Sequence, residues 1–210
     1  MEEIENAIRA NPQDMKQWQK LERMIHSSNY WDVYYGYTGF RTLAQEKLSK
    51  YYPNYIAVFK KGLNHRDMGV QVVCVEGISN LGPEAIHQLY PDLEAMLSER
   101  KENSLTWEVA SILGQINNKE IANDSLKLLL KISSSKPTYI SSTTDAILRK
   151  EALKSAYKIA QRNLTSEVID QFETSLMKMK VENESDQRFK KDFEETIHKL
   201  QEELKSRTEN

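Results

Sequence analysis

The stretch CVEGISNLGPEAI, Cys74 to Ile86, is restated further along the chain as WEVASILGQINNKEI, Trp107 to Ile121. Val75, Ile78, Leu81 and Ile86 of the first copy correspond to Ala110, Leu113, Ile116 and Ile121 of the second, at a constant offset of 35 residues. Within each copy the apolar residues recur at helical spacing, and a Leu-Gly pair then closes the helix. In the first copy Pro83 opens the next helix directly after Gly82. A period of this length is that of stacked helix pairs. One such pair cannot bury its apolar face alone, so neighbouring copies must supply the core and the outer faces are left for partners.

The pattern extends in both directions. Asp67 is placed to cap a helix beginning at Met68, after a turn over Gly62 to Asp67. Ile86, Leu89, Leu93 and Leu97 mark the second helix of the first copy, which Pro91 should kink or break. Lys101 to Ser104 is read as a link, and Leu105–Ile116 with Ile121–Ile132 as a second pair. Leu153, Ala156, Ile159 and Ile169 carry the pattern on at offsets of 43 to 48. A helix from Ile169 to Met179 completes a third pair. The excess length falls in SSSKPTYISSTT, Ser133 to Thr144, whose hydroxyls compete for backbone hydrogen bonds and whose proline blocks a helix. That stretch reads as a long loop.

Residues 1–29 read as two helices, with Asn11 as N-cap, Pro12 at the first helical position and Asp14 near the positive end. Between Tyr30 and Phe59 lie ten aromatic rings: Tyr30, Trp31, Tyr34, Tyr35, Tyr37, Phe40, Tyr51, Tyr52, Tyr55 and Phe59. They form either an N-terminal core whose phenols need hydrogen-bond partners or a recognition surface. Gln45, Leu48, Tyr51 and Ile56 match the repeat positions at an offset of 30, which makes this region a degenerate first unit. At the other end Phe189, Phe193, Ile197, Leu200 and Leu204 make one apolar stripe on an otherwise charged helix. It is expected to cap the open end of the stack, with self-association through a coiled coil as the alternative.

Composition narrows the function. The 210 residues carry 29% charged side chains and a net charge of -2, so no global field marks a nucleic-acid binder. The single cysteine, Cys74, lies in the apolar run Val70–Ile78 and reads as a small buried hydrophobe. The first residues have neither a basic leader nor an apolar run, and no stretch has the length of a membrane span; a cytoplasmic protein is expected. The HRD of His65–Asp67 lacks the flanking elements of a kinase loop. His26, His65, His87 and His198 lack ligand spacing, and no phosphate-loop, nucleophile-elbow or zinc-protease motif occurs. Acid pairs such as Glu194 with Glu195 read as solvated. Neither an enzyme nor a bound metal or cofactor is expected.

The two quoted stretches resemble HEAT repeats, through the helix, the Leu-Gly and the turn that follows. KEALKSAYKIA, Lys150 to Ala160, is similar more loosely, with Tyr157 where glycine is usual. The resemblance covers 67–132 closely and extends to 180. It implies an all-α fold, a right-handed α-α superhelix of three to four helix pairs, with second helices lining a concave face. On that basis the chain is read as one domain: residues 1–60 as a degenerate N-terminal cap, 61–180 as repeats and 181–210 as a C-terminal amphipathic helix. HEAT proteins are mostly non-enzymatic scaffolds and adaptors, and a compact single-domain example of this kind looks similar to the helical immunity proteins that neutralise bacterial toxins, which would make it an inhibitor of a partner protein. The alternative is a nucleic-acid-binding protein like the HEAT-like alkylpurine DNA glycosylases, with Glu76 and Trp107 in the roles of carboxylate and aromatic wall.

Carrying the offsets through the chain aligns three rows. Val72, Glu76 and Asn80 fall beside Trp107, Ser111 and Gln115, and beside Lys150, Lys154 and Lys158, with Arg162 extending the last. Each row steps by four residues and so lies along one side of its helix. The expected site is a concave groove with Trp107 as anchor and the lysines as a basic end. It would suit an acidic protein surface, or a phosphate backbone.

Overall fold

The computed structural model describes residues 1–98, 105–135 and 142–209, with the backbone alone at 142–145. Its elements are α1 Glu2–Ala10, α2 Met15–Ile25, α3 Tyr30–Gln45, a 3-10 turn Leu48–Tyr51, α4 Tyr55–Leu63, α5 Met68–Leu81, α6 Pro83–Gln88, α7 Tyr90–Ser98, α8 Leu105–Leu113, α9 Lys119–Ser134, α10 Ser142–Arg162, α11 Ser166–Met177 and α12 Glu184–Thr208. No strand occurs among the described residues. They form two compact units, Met1–Leu93 and Glu94–Asn210.

Local chemistry sets the helix ends. The Asp67 carboxylate accepts from the Val70 amide at 3.2 Å and so caps α5. Gly82 follows α5 with φ of 94°, a conformation that costs glycine little, and Pro83 then starts α6. The second helix of this pair is broken at Leu89, and Pro91 opens α7. At the N-terminus the expected start is displaced. Asp14, not Asn11, caps α2, its carboxylate accepting from the Lys16 amide at 3.0 Å, while Asn11 ends α1. The Pro12 carbonyl lies outside the helix and takes the Trp18 indole N–H at 2.8 Å.

In the N-terminal unit α3 packs against α2 and α5, and α4 packs against α5. Half of the aromatic run builds this core. Trp18 stacks on Tyr52 at 5.2 Å and lies against Phe40 and Tyr55, and the Tyr55 hydroxyl donates to the Phe40 carbonyl. Burial pushes the Tyr52 phenol up to about 12. Arg9 fixes α1 to the end of α3 through two bonds to Glu46, from Nε at 2.8 Å and from Nη2 at 2.7 Å. The offset of 30 does not describe α3, because Gln45 is exposed and Leu48 and Tyr51 fall in the turn beyond it. The buried face of α3 is instead Val33, Gly36, Tyr37, Gly39, Phe40, Leu43 and Ala44.

Helices α4 and α5 approach so closely that each sets a glycine against the other: Gly62 lies on Cys74, and Gly77 on the Phe59 ring. Cys74 is fully buried, and that burial raises its thiol well above the ordinary range, so it packs as a hydrophobe. A Cβ at Gly77 would overlap the Phe59 ring. Alanine would gain up to about 1 kcal/mol of helix propensity, against an overpacking cost of about 1–3 kcal/mol. Gly77→Ala should therefore lower the urea midpoint of the N-terminal unit; an unchanged or raised midpoint would show that the interface relaxes freely.

In the C-terminal unit α10 packs against α8, α9 and α12, and α11 packs against α9 and α12. The repeat positions Ala110, Leu113, Ile116, Leu153, Ala156, Ile159 and Ile169 are buried as their spacing requires. The Ser133–Thr144 stretch is shorter as a loop than its composition suggests. Ser133 and Ser134 remain in α9, their hydroxyls bonding back to the Leu130 and Lys131 carbonyls, and α10 begins at Ser142. Residues 136–141 and the expected link over Lys101–Ser104 lie outside the described residues. The α12 stripe turns inward: Phe189, Phe193, Ile197 and Leu200 are buried, with α12 packed on α10 and α11. Leu204, the last residue of the stripe, is half-buried, so most of the stripe is taken up by packing within the chain.

Candidate functional site

All three aligned rows are outward-facing and partly or fully exposed, as the four-residue step requires. They belong to first helices: Val72, Glu76 and Asn80 to α5 in the N-terminal unit, and Trp107, Ser111, Gln115 and the lysines to α8 and α10 in the C-terminal unit. The HEAT resemblance assigns the inner face to second helices.

The individual residues divide by how their polar atoms are used. Glu76 is ion-paired to Arg41 of α3 at 2.5 Å and is part-exposed, so its carboxylate is not the buried acid beside rings that a glycosylase role requires. Asn80 contacts the ends of the same helix pair, its carbonyl accepting from Lys47 Nζ at 3.1 Å. Trp107 is half-buried, and its indole N–H donates to Glu108 at 2.9 Å. Arg162 does not extend the basic row as a free charge. Its guanidinium donates to the carbonyls of Gly114 and Ile116 at 2.9 and 2.8 Å, satisfying the exposed end of α8.

Lys150 and Lys154 are brought to a groove that the spacing of the repeats does not foretell. Helix α12 runs alongside α10 and supplies the far wall, so that Lys150, Leu153, Lys154 and Tyr157 face Phe189, Asp192, Thr196 and Lys199 across about 320 Å³. The apolar part of the lining is Leu153 and Phe189, each 5% exposed. Lys154 pairs with Glu151 at 3.3 Å, whereas Lys150 and Lys199 make no ion pair among the described residues. Asp192 likewise has no cation within ion-pair distance among the described residues. Lys199 was readable only as one more charge on a charged helix. Its signal is its step of seven from Asp192, a stripe adjoining the apolar one.

Among the described residues no cluster of His, Cys, Asp or Glu could hold a metal ion, and no helix is long and apolar enough to cross a membrane. No protein-family model matches the sequence, and no curated protein matches it. A solved structure of a designed armadillo repeat protein is similar, with a TM-score of 0.53 and 17% identity, covering 87% of this chain and 86% of that one. At that identity the likeness is one of fold: the chain is an all-α helical-repeat solenoid.

Proposed function

We propose that this chain is a non-catalytic protein-binding module that seats an acidic segment of its partner in the α10–α12 groove. The observation that carries the reading is the pairing of an apolar lining, Leu153 and Phe189, with the unpaired cations Lys150 and Lys199 on opposite walls. An apolar side chain of the partner would be desolvated on that lining, and flanking carboxylates would meet lysines that have no competing ion pair. Helical-repeat folds commonly serve as such scaffolds, because stacking leaves long faces of side chains free of the core. Trp107 lies on α8, which packs against α10, and would serve as a second anchor beside the groove.

The test is fluorescence anisotropy with a labelled peptide bearing a central phenylalanine flanked by glutamates, across a sodium chloride series. Lys150→Glu with Lys199→Glu should slow association about tenfold and flatten its salt dependence, because charges at a rim act on encounter. A labelled single-stranded or duplex DNA serves as competitor. Tighter binding of DNA than of the peptide, with the same loss on charge reversal, would move the reading to the nucleic-acid alternative. Unchanged peptide association in the double variant would remove the groove from the function.

A further inference from the structure

The other half of the aromatic run is not core. Tyr30, Trp31, Tyr34 and Tyr35 crowd the first turn and a half of α3, with Tyr30, Trp31 and Tyr35 exposed by 40%, 58% and 45%. Trp31 stacks on Tyr35 at 5.8 Å, Tyr30 on Tyr34 at 6.1 Å, and the intervening pairs meet edge to face. Among the described residues these rings make no ring contact outside the cluster, so they add nothing to the core around Trp18. The cluster lies against the start of α5. The Tyr30 hydroxyl is 3.4 Å from the Asp67 carboxylate, the Tyr34 ring approaches Gly69, and Met68 beside them is 44% exposed. A patch of this kind on a chain so rich in charge is a surface built for contact.

We propose that this cluster is a docking surface for a proline-rich segment in the polyproline II conformation. The choice of occupant rests on what the patch offers. It presents ring faces and donors: the Trp31 indole N–H and the Tyr34 and Tyr35 hydroxyls make no hydrogen bond among the described residues. Its nearby carboxylates are engaged within the chain, Asp32 accepting from the Ser27 hydroxyl at 2.8 Å and Asp67 capping α5. A polyproline II segment is the complement of that inventory, having no N–H at its prolines, carbonyls without internal partners, and flat apolar rings that stack on aromatic faces. Its stiffness also lowers the ordering cost of binding to an exposed patch. An amphipathic helix would bring no free carbonyls to these donors.

The experiment uses the full chain, labelled with nitrogen-15, and a peptide of ten prolines with Gly-Ser ends as probe. The Trp31 indole resonance should shift saturably with the proline peptide and not with a Gly-Ser peptide of equal length. Trp31→Ala should weaken binding at least about tenfold, as loss of a central aromatic anchor does, without lowering the melting temperature. The paired change Tyr34→Phe with Tyr35→Phe, which keeps the rings and removes two donors, should weaken it severalfold. Lys150→Glu with Lys199→Glu should leave it intact, so that failure here and failure of the α10–α12 groove are told apart. No shift at millimolar peptide, an equal response to the Gly-Ser peptide, or full binding by either aromatic variant would overturn the proposal. A concentration-dependent dimer abolished by Trp31→Ala would overturn it too, by assigning the patch to a second copy.

Discussion

A chain ending at Val181, and so lacking α12, should lose about 4–8 kcal/mol from the stability of its C-terminal unit and become prone to aggregate. The estimate follows from what α12 covers. Phe189, Phe193, Ile197 and Leu200 are 0–6% exposed against α10 and α11, with Phe193 packed on Phe172 at 6.0 Å. Uncovering the surface they contact forgoes about 1.5–3 kcal/mol for each large side chain buried, less the burial that the unfolded chain retains. The loss approaches or equals the whole stability of an ordinary domain. Trp107 is the one tryptophan beyond residue 93, so its fluorescence reports the C-terminal unit during urea unfolding. If the shortened chain unfolds at the same urea concentration and stays as soluble, α12 is a tail whose packing contributes nothing. Stacking of this kind is what a solenoid requires, since each repeat leaves an apolar edge that the next element must bury.

The parts of this fold that could be read from the chain are those set within a few residues. Asp67 as cap, Gly82 and Pro83 as the hinge of a helix pair, and the break before Pro91 all depend on backbone chemistry that a short window contains. The α12 stripe was readable because an isolated apolar face must be covered by something. What failed did so where packing outweighs pattern. Asn11 and Asp14 are both good caps, and the Trp18 indole binding the Pro12 carbonyl keeps residues 12–13 out of the helix. The offset of 30 placed Gln45 in a core it does not enter, because the aromatic residues of the region obscure which rings face inward. The groove was half legible: Lys150 and Lys154 follow from the repeat, but Lys199 joins them only because α12 folds back beside α10. Likewise nothing in their spacing separates the Trp18, Phe40 and Tyr55 cluster from the exposed Tyr30–Tyr35 cluster.

Removal of either partner of the Arg149–Asp186 pair should cost about 3–5 kcal/mol, the usual penalty for breaking a buried ion pair from one side. The two side chains meet at 3.0 Å and are each only 5% exposed. Arg149 also donates through Nε to the Ser133 carbonyl at 3.0 Å and lies 4.5 Å from the centre of the Phe189 ring. Asp186 accepts from the Glu182 amide at 3.1 Å and sits in the first turn of α12, where a carboxylate is favoured. One guanidinium thus satisfies the last turn of α9, fixes the start of α12 and covers an aromatic ring of the groove lining. A surface ion pair would be worth less than about 1 kcal/mol, and burial is what separates the two cases. Asp186→Ala should therefore lower the urea midpoint reported by Trp107 sharply, and Arg149→Ala should do so at least as much. The double change Arg149→Met with Asp186→Asn should cost less than either, because Met keeps the ring contact and Asn still accepts from Glu182 with no charge left buried. Single changes costing under about 1 kcal/mol would mean that water reaches the pair in solution. A double variant worse than both singles would mean that the hydrogen bonds to Ser133 and Glu182, and not the ion pair, hold α12 in place.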